Sequence, residues 1–178
     1  IVSDFSPLAI RNRPFGSILR TLMPAMDIAI RECGPADAAR LARLRADFLE
    51  ELGQRLPNGF VANLEQWFAQ ALGTPRVRAW VAETEGGIAG TVVVNPFERV
   101  PNARNPAGRG WYVMNVYTLA PHRGRGIAKH LLTAVDAAAA QDGVPVLELR
   151  ATDEDRPLYE RFGFGPSPHY MERMETPA

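Results

Sequence analysis

Residues 111–141, WYVMNVYTLAPHRGRGIAKHLLTAVDAAAAQ, constrain what this chain can fold into more than any other stretch. A β-branched and aromatic run from Trp111 to Leu119, ended by Ala120-Pro121, predicts a strand. Ile127, Leu131, Ala134, Val135 and Ala138 recur at the spacing of one helical face, and Gly143 supplies the left-handed stop. Between strand and helix lies Arg123-Gly124-Arg125-Gly126-Ile127-Ala128. Its glycines let the backbone turn and approach a ligand with no Cβ in the way. The helix start offers unpaired N–H groups and the positive end of a dipole. With two arginines at the same place, a phosphate-bearing ligand is the expected guest.

Three kinds of phosphate loop compete for that assignment. The pattern G-x-x-x-x-G-K followed by Ser or Thr is absent, and G-x-G-x-x-G fails at its third glycine, where Lys129 stands. The third pattern, R-x-x-G-x-A, is present as Arg123, Gly126 and Ala128. At these residues the chain resembles the GNAT superfamily of acetyl-CoA-dependent N-acetyltransferases, whose pyrophosphate loop has this form. A second stretch, Leu158-Tyr159-Glu160-Arg161-Phe162-Gly163-Phe164, is similar to the family's L-Y-E-x-x-G-F, one strand and one helix after the first. A helix ending in a glycine cap explains Phe162, Gly163 and Phe164 by itself, but not this position.

The resemblance implies acyl transfer from a CoA thioester to an amine by direct attack, which needs no enzyme nucleophile. Val116, Tyr117 and Thr118 take the place of the family's splayed strand, whose backbone pairs with the pantetheine arm. A backbone N–H there would hold the developing oxyanion. The pyrophosphate would lie on Arg123, Gly124, Arg125, Gly126, Ile127 and Ala128. Pro121 stands one residue closer to Arg123 than in the family's Pro-x-x-Arg, which alters the loop's entry. Tyr159 matches the tyrosine that donates a proton to the departing thiolate, against the plainer role of anchoring its helix. The run Leu147-Glu148-Leu149-Arg150-Ala151-Thr152-Asp153 is similar to L-E-V-R-A-S-N of relatives that acetylate protein N-termini. Glu148 is thus a general-base candidate acting through water, with Glu83 and Glu98 as rivals and Asn115 facing the acceptor. Asp153 replaces the asparagine of that run.

The remaining chain fits an α/β (α+β) GNAT fold: a mixed, mostly antiparallel twisted sheet of six to seven strands with about four helices. Residues 27–31 alternate as a first strand, and Pro35 opens a helix whose buried face is Ala38, Leu41, Leu44, Ala46 and Phe48. A second helix spans 60–72. Strands follow over 76–85 and 88–94, joined by a Gly86-Gly87 turn. Residues 95–110, rich in Pro, Gly and Asn, read as a long loop. After the organising unit come a strand over 144–150, a helix over 154–162, and one or two closing strands within 164–175. This domain, residues 27–178, follows an arm or leader over 1–26 that is arginine-rich and broken by Pro7, Pro14 and Pro24. An arm of that kind packs on its own domain or on a partner subunit, and a homodimer is expected.

Composition narrows the functions further. Zero formal net charge argues against a nucleic-acid surface, and no stretch is apolar for long enough to span a membrane. One cysteine, Cys33, excludes a disulfide framework, and His122, His130 and His169 show no metal spacing. A cytoplasmic enzyme with no metal, using acetyl-CoA on a small-molecule primary amine, is the leading expectation. The alternatives are a non-catalytic acyl-CoA sensor or interaction domain, and a protein N-terminal acetyltransferase.

Overall fold

A computed structural model describes residues 27–167. The order is β1 (Ala29–Glu32), α1 (Ala38–Glu51), α2 (Phe60–Ala71), β2 (Arg78–Thr84), β3 (Gly87–Glu98), β4 (Arg109–Thr118), α3 (Ile127–Gln141), β5 (Leu147–Glu148) and α4 (Arg156–Glu160). The strands form one sheet in the order β1-β2-β3-β4-β5, antiparallel except for the parallel β4–β5 pair. This is the mixed, mostly antiparallel sheet expected, with five strands among the described residues. Residues 164–167 are not strand; the rest of the closing segment and the 1–26 arm lie outside the described residues.

Helices cover both faces of the sheet, so the inner strands bury both sets of side chains. Trp80, Val92, Val94 and Val113 pack with α3 and α4 on one face; Ala79, Val81 and Val93 pack with α1 and α2 on the other. That is why β3 reads as an unbroken apolar run rather than an alternating one. At the entry to α1, the Arg31 guanidinium forks onto Asp37 at 2.8 and 2.9 Å. Asp37 also accepts from the Gly34 amide at 2.9 Å, tying strand, turn and helix together. The Asp37 carboxyl is held below its usual range, chiefly by Arg31.

Four local expectations change. The β2–β3 turn is Glu85-Gly86, and Gly87, at φ 101°, begins β3 opposite Thr84. The hairpin arms extend into the expected 95–110 loop, from Asn95↔Tyr112 to Glu98↔Arg109, leaving only 99–108 unpaired by strand. Pro96 is tolerated there because β2 begins only opposite Val94, so β3 has a free edge beyond it. The strand expected over 144–150 is only Leu147–Glu148. Phe48 is half-buried rather than core, because its position on α1 points past the sheet toward the end of β4.

Two features of β4 position the site. Thr91 pairs with Tyr117 and Val93 with Met114, so Val92 alone faces Asn115 and Val116: a β-bulge. Asn115 sits there at φ 52°, 4% exposed. Gly90, next along β3, has room for no side chain. A Cβ would stand 2.7 Å from the Tyr117 carbonyl oxygen and 2.8 Å from Ile127 Cγ2, so its absence lets α3 start against the sheet.

Candidate active site

β4 pairs with β5 only at Trp111↔Leu147 and Tyr112↔Glu148. Beyond Tyr112 the strands part, and a cleft of about 860 Å³ opens along the end of β4. Val116, Tyr117 and Thr118 line it on the sheet side. Arg123, Gly124, Gly126, Ile127, Ala128 and Lys129 form one wall, and Thr152, Asp155, Leu158, Tyr159 and Phe162 the other. Phe48 and Glu51 of α1, with Leu52 just past its end, close one side, and His122 also lines the cleft.

The loop wall has the backbone geometry that suits an anion. Gly124 and Gly126 take φ of 74° and 78°, where side chains are strained, and no atom lies within 4 Å of a Cβ built on Gly124. Gly126 begins the helix without a side-chain cap, and the first turn-closing bond runs from the His130 amide to its carbonyl. The amides of Ile127, Ala128 and Lys129 therefore precede the first intrahelical donor and point out of the helix start. The exposed His130 ring bonds that same carbonyl through Nδ1 at 2.9 Å, a capping role.

Arg123 does not wait free for an anion. It donates to a Glu51 carboxylate oxygen and, at 3.1 Å, to the Thr118 carbonyl. Tyr117 donates to the other Glu51 oxygen at 2.7 Å. These two partners hold the Glu51 carboxyl below its usual range, Tyr117 first. Burial, then Glu51, pushes the Tyr117 phenol up to about 12.

Tyr159 lies across the cleft, 8% exposed, its ring edge-on to Phe164 at 6.0 Å. Burial and then Asp155 push its phenol up to about 12, so it stays protonated and is a weaker acid than an exposed tyrosine. Glu148 lies outside the cleft lining. As the register partner of Tyr112 it shares that residue's face of the sheet, the face of α1 and α2. Arg99 grips its carboxylate with two N–H groups, one at 2.8 Å.

The structure thus brings together Val116, Tyr117, Thr118, Arg123, Gly124, Gly126, Ile127, Ala128 and Tyr159, and leaves Arg125 and Glu148 outside the lining. Sequence reasoning missed Phe48 and His122 as cleft residues, and the pairing of Glu51 with Arg123. Glu51 meets Arg123 from 72 residues away, a pairing with no local signature. Cys33 is buried, and burial pushes its thiol up to about 12, as suits a small packed residue. Among the described residues no helix is long and apolar enough to cross a membrane.

Comparison with known proteins gives this geometry a family. The sequence profile of the Acetyltransferase (GNAT) family matches residues 41–164. A predicted acetyltransferase from Clostridium acetobutylicum, solved with acetyl-CoA, superposes with a TM-score of 0.76 at 25% identity, covering 83% of this chain and 96% of that one. A GCN5-related N-acetyltransferase from Ralstonia eutropha JMP134 gives 0.72 at 25% identity, covering 83% and 99%. The ribosomal-protein-alanine N-acetyltransferase of Brucella melitensis biovar Abortus 2308 shares the fold, with a TM-score of 0.63 at 21% identity, covering 85% and 100%. No curated protein sequence matches the chain significantly. The profile spans well over half of the sequence and both motifs of the cleft, so the chain belongs to the GNAT family of acetyltransferases, whose acyl donor is acetyl-CoA.

Proposed function

We propose that the protein transfers the acetyl group of acetyl-CoA to a primary amine of a small molecule, by direct attack within a ternary complex. The observation that carries this reading is the meeting, in one cleft, of a bulged strand end that β5 leaves unpaired, a glycine-rich helix start and a tyrosine. The pyrophosphate rests on the backbone from Arg123 to Ala128, with Arg125 contributing charge from the outer side of the loop. The pantetheine arm runs along Val116, Tyr117 and Thr118. An amide at the Asn115–Val116 bulge polarises the thioester carbonyl and steadies the oxyanion.

The amine nitrogen attacks that carbonyl carbon, the C–N bond forms and the C–S bond breaks. Tyr159 donates a hydrogen bond to the departing thiolate. The surplus amine proton leaves through a water to Glu148, which Arg99 orients on the α1 side of the sheet.

Binding and turnover test this together. Acetyl-CoA binding by calorimetry is expected for the wild type and not for Gly126→Asp, whose carboxylate would block and repel the pyrophosphate. Thiol release with an amine panel should then identify acceptors. Saturable binding with no turnover on any amine or peptide would leave a sensor, and turnover on peptides alone would make the acceptor a protein N-terminus.

A further inference from the structure

α1 lays a second cationic group against β4, on the side away from α3. Arg45 is half-buried, with Nη1 donating to Asn115 Oδ1 at 3.3 Å and its guanidinium 5.7 Å from the centre of the Phe48 ring. Of the other arginines, Arg43 is neutralised by Asp47, Arg99 by Glu148 and Arg123 by Glu51. Arg45 is more enclosed than these, yet pairs with no carboxylate among the described residues. Burial pulls its pKa down, the sign of a cation dehydrated without an anion to compensate, although a guanidinium stays charged.

Asn115 adds an independent observation at the same point. It is 4% exposed, holds a left-handed backbone at the bulge, and its Nδ2 is buried with no acceptor. A buried donor left unpaired costs about 1–3 kcal/mol, and strained backbone of this kind gathers at functional sites. Asn115 Nδ2 is thus a donor without an acceptor, and beside it Arg45 carries a charge without a carboxylate. Their chemical complement is a group with two acceptor oxygens and a negative charge, which a carboxylate supplies in the geometry a guanidinium favours. Val116, the next residue, lines the coenzyme cleft, so a ligand seated here lies beside the bulge where the thioester carbonyl is placed.

We propose that Arg45 and Asn115 form an acceptor subsite that binds the carboxylate of an amino-acid-like amine. This rests on the acetyltransferase reading above and names its substrate class. Arg45 sets specificity by charge; Asn115 fixes the carboxylate through Nδ2 and holds the guanidinium through Oδ1.

The experiment compares amines that differ only in the carboxylate: amino acids, their amides and their decarboxylated counterparts. Thiol release is followed for the wild type, Arg45→Gln and Arg45→Lys, with acetyl-CoA affinity measured by calorimetry and folding by Tm. The wild type should favour the acid over the amide by at least about tenfold in kcat/KM, the size of a single good charge contact. Arg45→Gln should erase that preference through KM, Arg45→Lys should restore part of it, and acetyl-CoA affinity should stay within about twofold in both. Equal rates on acid and amide, or a preference that survives Arg45→Gln, would overturn the subsite while the acetyltransferase reading stands. Failure of the wild type to bind acetyl-CoA or to acetylate any amine would overturn both. The wild-type panel alone decides the first point, so a misfolded variant offers the proposal no shelter.

Discussion

Replacing Tyr159 with Phe removes one oxygen from the cleft and leaves the ring in place. That ring packs against Phe164 within the core that α3 and α4 share with the sheet. No hydrogen bond from the hydroxyl to protein is present among the described residues, so stability should change by less than about 0.5 kcal/mol. The chemistry should change more. With the phenol raised to about 12 and a free thiol near ~8.5, complete proton transfer to the thiolate is uphill by roughly 5 kcal/mol. What the phenol contributes is therefore a charge-assisted hydrogen bond to the departing sulfur, about 1.5–3 kcal/mol. By the same arithmetic kcat should fall about 10- to 150-fold in Tyr159→Phe.

Steady-state thiol release at saturating acetyl-CoA and amine measures that loss, with coenzyme affinity taken separately. The pH dependence has a definite sign. The neutral phenol is favoured in the folded state, so its contribution to stability is whole below its unfolded value near ~10 and is lost as pH rises toward about 12. Nothing attributable to Tyr159 should titrate in kcat between pH 6 and roughly 10, since the folded value lies above that window. A kcat within twofold of wild type would refute the role, and so would a loss accompanied by a large fall in Tm.

Four further outcomes follow from the geometry. Glu51→Gln releases Arg123 from its carboxylate, and acetyl-CoA should bind about two- to fivefold more tightly at low salt, with the gain shrinking as salt rises. Calorimetry at two ionic strengths checks this; unchanged or weaker binding would refute it. Gly90→Ala forces a methyl against the Tyr117 carbonyl and Ile127, costing about 1–3 kcal/mol in urea unfolding. Acetyl-CoA affinity should fall with it, because the same clash moves the start of α3. Asp37→Asn breaks the Arg31 fork and should cost about 1–2 kcal/mol after solvent screening. Because the folded Asp37 carboxyl lies low, its contribution is complete above ~3.9 and is lost as pH falls through the folded value; the wild-type and Asn urea midpoints should converge there. Glu148→Gln should lower kcat if water passes the amine proton to it, whereas an unchanged kcat would remove Glu148 from the mechanism.

The coenzyme side of the molecule was legible because its chemistry is local. A strand that stops at Leu119, glycines that must turn at positions 124 and 126, and an apolar face from Ile127 to Ala138 lie within one short stretch, and backbone preference alone organises them. Tyr159 could be placed for the same reason, through a helix stop at Gly163 a few residues away. The edges of elements were less legible. Pro96 looks like a loop residue until β2 is known to begin only opposite Val94, which is a fact about a neighbouring strand. Phe48 looks like core until the direction of α1 across the sheet is known.

The sequence by itself determined the order of helices and strands, the glycine-rich turn into α3 and the family, because those depend on periodicity, turn chemistry and motifs that short segments carry whole. Only the tertiary structure decided which charges are spent and which remain. Glu51 reaches Arg123, Glu148 is taken by Arg99, and Arg45 is left against Asn115, across sequence separations of 72, 49 and 70 residues. Burial and partnership, rather than residue type, set what each of these groups can do, and both arise only when the chain has packed.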